Sequence, residues 1–505
     1  MNVIFWNSAS ADWSVPTRYI GPYKISHWID KFGYSSQVID FATYLTAEEL
    51  YKATKKFITS ETKVLAISTT FLATNTEPWS DGTLSAFPEH VLKVAKYLKK
   101  EYPNIKFVLG GYSSEHLHAG GLFDATIMSY TDASEDIFLE YLDFLFDKGT
   151  EPEFKLITKY FNASGKPRKH YFTAKNKVYS IEVDDFKFTK QHAVLPGEAL
   201  PLDISRGCIF ACRFCNYPHL GKSKTDYIRG MEYVKEELIY NYENFGTTNY
   251  MILDDTFNET PVKMDAFYKM VESLPFKINY TAYLRADLIQ RFPESAHILK
   301  ESGLWGAFHG LESLHPHASN LVGKAWSGKH AKDFIPKLYH DMWKGEVPQL
   351  LSFIMGLPKE TFDDMKGTVK WFKENNLYSL SIERLGLADP AKSHRHSISS
   401  EFERNSTKYG FEFVDDKNAH PIFSWKNETW DATGKDFHDA YIKIYKAIDE
   451  HKLRRITIWN LGNMQLLGYD KAYLLKTPKV DFDMTLFENR KNAAYRQYYN
   501  LLMSL

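Results

Sequence analysis

All three cysteines of this 505-residue chain fall in one short segment, Ser-Arg-Gly-Cys208-Ile-Phe-Ala-Cys212-Arg-Phe-Cys215. Cysteines of an oxidised, secreted framework come in even numbers spread along the chain. Three thiols crowded together, with none elsewhere, read instead as one local site. Three thiolates on one loop can hold three irons of a cubane [4Fe–4S] cluster, leaving the fourth iron without a protein thiolate. Soft thiolates also select zinc or copper(I). With His219, the same cysteines would make a Cys3His zinc site. Structural zinc motifs more often show two ligand pairs with a longer spacer between them. The spacing therefore favours iron–sulfur, and zinc stays open as the alternative.

Such a loop needs elements to position it. Residues 201–390 alternate strand and helix signals, with strand candidates at 202–205, 250–253, 278–282, 307–311, 350–355 and 379–383. Helical stretches at 230–244, 261–273, 292–302, 329–343 and 361–375 separate them. Six strands joined this way predict a partial (β/α)6 barrel, whose chemistry belongs at the carboxyl ends of its strands. The cysteine segment follows the first of them.

Residues 1–148 also alternate, which predicts an α/β, doubly wound, Rossmann-like parallel sheet with its ligand side at the strands' carboxyl ends. Residues 149–200 break the rhythm and read as a connector with a hairpin, 171–173 against 178–180. The basic run 166–170 within it reads as a solvated turn. Residues 391–505 form a C-terminal region of mostly helical pattern.

Composition narrows the function classes. Lys plus Arg is 62 and Asp plus Glu is 63, a formal charge of −1. Net charge therefore gives no reason to expect nucleic acid or an anionic membrane as partner. No apolar run reaches the ~18 residues of a membrane span. No secretory signal is evident at the start, so the expected compartment is cytoplasmic.

The Cys-x3-Cys-x2-Cys spacing after a first barrel strand, with Phe214 just before the third cysteine, resembles the radical S-adenosylmethionine (radical SAM) superfamily. The resemblance implies a [4Fe–4S] cluster on Cys208, Cys212 and Cys215, with its open iron chelated by SAM. Reductive cleavage of SAM would then yield a 5′-deoxyadenosyl radical. It also implies an electron donor such as flavodoxin or ferredoxin and a small-molecule or peptide substrate.

Four further strand ends fit the family pattern. Asp254 or Asp255 would hold the methionine amino group of SAM, although a helix cap explains them equally well. Arg285 would clamp its carboxylate, unless it serves only as a structural pair with Asp287. Glu312 and Ser313 would lie near the ribose. The backbone around Met355 and Gly356 would lie near the adenine.

Residues 1–148 resemble the cobalamin (B12)-binding-type domain that precedes the barrel in one class of the superfamily. The matching stretches are 21–41, 67–71 and 109–112. The class's Asp-x-His-x-x-Gly loop is missing: Asp12 is followed by Trp13 and Ser14, without a histidine. Cobalamin is therefore expected without a histidine ligand, or not at all. The first case implies a methyltransferase, the second a rearrangement or cyclisation. The alternative from another class is a zinc-stabilised binding protein. The lack of further cysteines disfavours any chemistry that needs a second cluster.

Overall fold

A computed structural model describes residues 1–8, 15–69, 88–111, 122–127, 134–157, 168–171, 181–215, 227–391, 399–415, 422–451, 461–470 and 483–505. The first part runs β1 (Val3–Trp6), α1 (Gly21–Asp30), β2 (Ser36–Ile39), α2 (Ala47–Phe57), β3 (Val64–Ser68), α3 (Glu89–Glu101), β4 (Lys106–Gly110), β5 (Ala125–Ile127) and α4 (Ser134–Leu145). The strands are almost continuously apolar, as in VIFW and VLAIS, because helices bury both faces of a parallel sheet. The helices carry their own start signals. In α2, Thr46 and Glu49 close a capping box, with acids in the first turn and lysines in the last.

The sheet order is 2-1-3-4-5, with two more strands beyond β5. These are β6 (Phe154–Ile157) and β7 (Arg168–Tyr171). β7 joins β5 in parallel and β6 pairs with β7 antiparallel. Part of the stretch read as a connector thus forms the edge of the first sheet. The hairpin expected at 171–180 lies outside the described residues, Tyr171 apart.

The second sheet contains β8 (Leu200–Leu202), β9 (Asn249–Ile252), β10 (Asn279–Leu284), β11 (Leu304–Glu312), β12 (Gln349–Met355) and β13 (Leu380–Arg384). All six are parallel and neighbours in chain order, and β8 and β13 do not pair, so the barrel stays open. Its helices are α5 (Met231–Phe245), α6 (Pro261–Glu272), α7 (Ala286–Arg291), α8 (Glu294–Glu301), α9 (Pro316–Leu321), α10 (Gly328–Lys337) and α11 (Phe362–Glu374). Alternate strand residues pack outward on these helices, as Tyr280, Ala282 and Leu284 do with Met264, Phe267 and Ile289. The others, Tyr283 and Phe308 among them, join a core shared with Trp6, Leu65 and Met464.

The first barrel strand ends earlier than its apolar run suggests. The backbone N–H groups of Ile204 and Ser205 leave the ladder and donate to the Asp254 carboxylate.

The C-terminal region is less uniformly helical than its pattern suggests. It contains α12 (Glu401–Arg404), a two-stranded antiparallel pair of β14 (Glu412–Phe413) and β15 (Trp425–Lys426), α13 (Lys435–Glu450), α14 (Leu461–Leu466) and α15 (Met484–Ser504). α13 packs on α11, while α15 packs on α2 of the first domain. One buried guanidinium joins these parts. Arg18 donates to Glu198, to the Tyr23 hydroxyl and to the carbonyls of His192 and Ala193, and it lies over the Tyr498 ring of α15.

Candidate active site

The stem of the cysteine loop is pinned before the first cysteine is reached. Asp254 accepts from the backbone N–H groups of Ile204 and Ser205 at 2.8 and 2.9 Å and from the Ser205 hydroxyl at 2.8 Å. The Lys263 ammonium donates to Asp254 at 2.6 Å, to Ser205 Oγ at 2.7 Å and to Glu259 at 2.9 Å. Lys263 and both carboxylates are fully buried. Buried charges persist only when they are paired and hydrogen-bonded, as these are. From the other side, Lys24 of α1 reaches Asp203 at 2.9 Å, and Glu135 of α4 reaches Arg206 at 3.0 Å. The first domain thus grips the loop two residues before Cys208.

The cysteines follow in a tight turn, with the Cys215 N–H donating to the Cys212 carbonyl at 3.1 Å. The Arg213 N–H donates to Val322 O and its carbonyl accepts from Phe402, so both neighbouring segments hold the loop. All three thiols are half-buried and free of disulfides. Cys208 Sγ lies 3.4 Å from the Thr256 hydroxyl. Burial pushes the Cys208 thiol pKa up, opposed by that hydroxyl and the Phe210 backbone, with the nearby Asp255 charge adding to the rise.

The donor set suits a cluster better than one ion. Among the described residues, the group of three whose ligand atoms all lie within 4.8 Å of one another is His27, Asp184 and Asp185, not the cysteines. A single zinc, with Zn–S near ~2.3 Å, would draw three sulfurs inside that spacing. The His27 group is an ion-pair set: Lys24 holds Asp184 and Lys31 holds Asp185, each at 2.6 Å. His219, His116 and His118 lie outside the described residues, as does the loop with Asp12.

Residues of the barrel mouth gather around Cys212. Arg285 Nη1 stands 3.9 Å from the Cys212 sulfur, and its guanidinium lies 4.0 Å from the Phe210 ring centroid. Its fork closes on Asp287 at 3.0 and 2.7 Å, and Nη2 also donates to the Lys324 carbonyl at 3.1 Å. Glu312, with φ of 67°, pairs with the Lys324 ammonium at 2.6 Å. Phe214 packs against the core of β11–β13.

Of the paired acids, Asp254 is spent on the stem, and half-buried Asp255 is the one whose charge reaches Cys208. The Ser313 hydroxyl donates to buried Glu360 at 2.5 Å. Burial raises the Glu360 carboxyl to about 8, against the lowering effect of Ser313.

Met355 and Gly356 lie buried at the end of β12. Their carbonyls accept from Leu385 N–H and the Asn427 amide at 2.8 and 2.9 Å. Gly356 has φ of 119°, and a Cβ there would meet the Trp425 ring at 2.8 Å, so glycine is required.

The structure therefore brings Phe214, Asp255 and Arg285 around the cysteines, with Glu312 joined to them through Lys324. It places Asp254 behind them and Ser313, Met355 and Gly356 in packed, hydrogen-bonded positions. Sequence reasoning missed Lys263, Lys324 and Glu360. Lys263 opens an ordinary helical stretch, 261–273, where a lysine gives no sign of burial. Lys324 sits in a loop without periodicity.

Residues 202–372 match the family model of the radical SAM superfamily. Fold and matched domain together define what the chain carries: a radical SAM-type partial barrel over the matched residues, with a Rossmann-like parallel sheet ahead of it. The chain is 25% identical over 245 residues to an uncharacterized methyltransferase of Pyrococcus horikoshii, covering 48% of this chain and 50% of the relative, so the match spans about half the relative's length. Its fold is similar to that of the radical SAM methyltransferase TsrM from Kitasatospora setae, solved with cobalamin and a [4Fe–4S] cluster bound. That match has TM-score 0.60 and 11% identity, over 97% of this chain and 99% of TsrM. It is also similar to the cobalamin-dependent SAM radical enzyme OxsB with aqua-cobalamin bound, with TM-score 0.58 and 12% identity over 99% of this chain and 84% of OxsB. No described helix is long and apolar enough to cross a membrane.

Proposed function

We propose that this chain holds a [4Fe–4S] cluster on Cys208, Cys212 and Cys215, binds SAM at the vacant iron and carries out a cobalamin-assisted methyl transfer. The observation that carries the reading is the cysteine turn itself: three thiols outside any disulfide, spaced wider than one ion would hold them, at the carboxyl end of the first barrel strand. The likeness of nearly the whole chain to two cobalamin-bound structures supports the choice of cobalamin. When bound, the cluster supplies the electron that breaks a carbon–sulfur bond of SAM.

The chain's own residues do the rest. Asp255 offers a carboxylate beside Cys208 for the methionine amino group. Arg285 offers a guanidinium beside Cys212 for its carboxylate, with Phe210 stacked behind it to hold the plane. Glu312 stands at the end of β11 for a ribose hydroxyl, with Ser313 held beside it by Glu360. Packing by Trp425 fixes the Gly356 backbone and keeps water from that edge. An external one-electron donor and a small substrate complete the reaction.

Anaerobic reconstitution with iron, sulfide and hydroxocobalamin tests the reading. Expected are about four irons per chain, an absorption shoulder near ~400 nm that bleaches with dithionite, and retained cobalamin. Tight zinc with no iron uptake overturns the cluster. Iron without cobalamin leaves SAM cleavage but replaces methyl transfer with rearrangement or cyclisation.

A further inference from the structure

Lys324 lies between α9 and α10, in a segment that the cysteine loop leans on. Val322 O accepts from the Arg213 N–H at 3.0 Å, and Gly323 packs against the Arg213 side chain. The Lys324 carbonyl accepts from Arg285 at 3.1 Å, and the same guanidinium reaches the Cys212 sulfur. The Lys324 ammonium donates to Gly310 O at 2.7 Å and to Glu312 at 2.6 Å, and it lies 6.0 Å from the Phe214 ring. Its side chain is only 11% exposed. Burial alone would discharge such an ammonium, but the Glu312 carboxylate 2.6 Å away holds it charged. Glu312, its partner, has a left-handed backbone with φ of 67°. The ammonium is thus a fixed positive charge 6.0 Å from the Phe214 ring of the cysteine loop, with one carboxylate as its counterweight.

We propose that Lys324 is a positioning residue that tunes the Cys212 corner of the iron–sulfur cluster toward its reduced state, with Glu312 acting in the opposite sense. The inference rests on the cluster reading above. Reduction adds one electron and no compensating proton, so a nearby buried cation stabilises the product and a nearby carboxylate opposes it.

The test is a dithionite-poised titration of reconstituted wild type, Lys324→Met, Lys324→Arg and Glu312→Gln, followed by electron paramagnetic resonance and iron analysis. Expected for Lys324→Met is a fall of about tenfold in the ratio of reduced to oxidised cluster at fixed poise, equivalent to about 59 mV for a one-electron couple. Lys324→Arg stays near wild type, and Glu312→Gln shifts the ratio the other way. Potentials that do not move, or that move together in Lys324→Met and Glu312→Gln, overturn the inference while leaving the cluster intact. Should Lys324→Met fail to take up iron, the sign of the Glu312→Gln shift decides alone. Failure of the wild type to take up iron sinks the cluster reading instead.

Discussion

Two sets of ion pairs flank the cysteine loop, and they are built differently. Behind the loop, Asp254, Lys263 and Glu259 are fully buried, and both Asp254 oxygens accept hydrogen bonds, one of them from backbone. In front, Arg285 pairs with Asp287 and Lys324 with Glu312, at side-chain exposures of 9%, 17%, 11% and 8%. The rear set is turned on itself: its lysine is shared among Asp254, Ser205 and Glu259, and all three charged side chains are sealed from the barrel mouth by burial. In the front set, a cysteine sulfur lies within reach of Arg285, and its pairs stand at the barrel mouth. The contrast separates two uses of buried charge. One sets the path of the backbone, and the other stays available to a bound molecule.

The first way to break this comparison is to remove the group both sets surround. Cys208→Ala, Cys212→Ala or Cys215→Ala should each reduce bound iron to background while circular dichroism stays close to that of the apo wild type. Full iron in any one of them would remove that cysteine from the ligand set.

Breaking the rear set should cost stability rather than chemistry. Lys263→Met leaves Asp254 buried without its cation, a loss of about 3–5 kcal/mol. Thermal unfolding of the apo protein should show a large fall in Tm, and an unchanged Tm would mean the rear set is not holding the stem.

Breaking the front set should do the reverse. Arg285→Ala should weaken SAM binding roughly tenfold, the scale of one lost charge-assisted hydrogen bond, with little change in Tm. Isothermal titration of the reconstituted protein reads this directly. An unaltered dissociation constant with a fallen Tm would make Arg285 part of the structural group.

The smallest effect sharpens the boundary between the sets. Burial raises the folded Glu360 carboxyl to about 8, whereas an unfolded glutamate titrates near ~4.3. The folded chain therefore holds a proton there that the unfolded chain has released. The stability this contributes is full below the unfolded value and declines as pH rises to about 8. Glu360→Gln keeps an acceptor for Ser313 and cannot ionise. It should match wild type near pH 5 and unfold a few degrees higher near pH 8. Parallel pH curves for the two proteins would show that Glu360 is already ionised when folded.

Both sheets were legible because parallel strands are apolar runs bounded by helix signals, and the cysteine spacing was legible because it needs no tertiary information. The end of β8 was not, since it depends on the Asp254 carboxylate capturing two backbone N–H groups from another strand. Nor could sequence decide between Asp254 and Asp255. The two lie in the turn after β9, and only the partner on α6, Lys263, shows which of them is taken. The edge strands β6 and β7 were hidden because β7 joins β5 across the intervening helix α4, β6 pairs with β7, and the stretch carries no alternating pattern. Lys324 escaped notice for the same kind of reason: its role comes from meeting Glu312 and the cysteine loop across three segments.

The central claim is that the three sulfurs leave one iron open. The most direct measurement is the electron paramagnetic resonance spectrum of the dithionite-reduced, reconstituted protein with and without SAM. A spin-half [4Fe–4S] signal whose shape changes when SAM is added is the predicted result. A signal indifferent to SAM, or no cluster signal at all, would contradict the account.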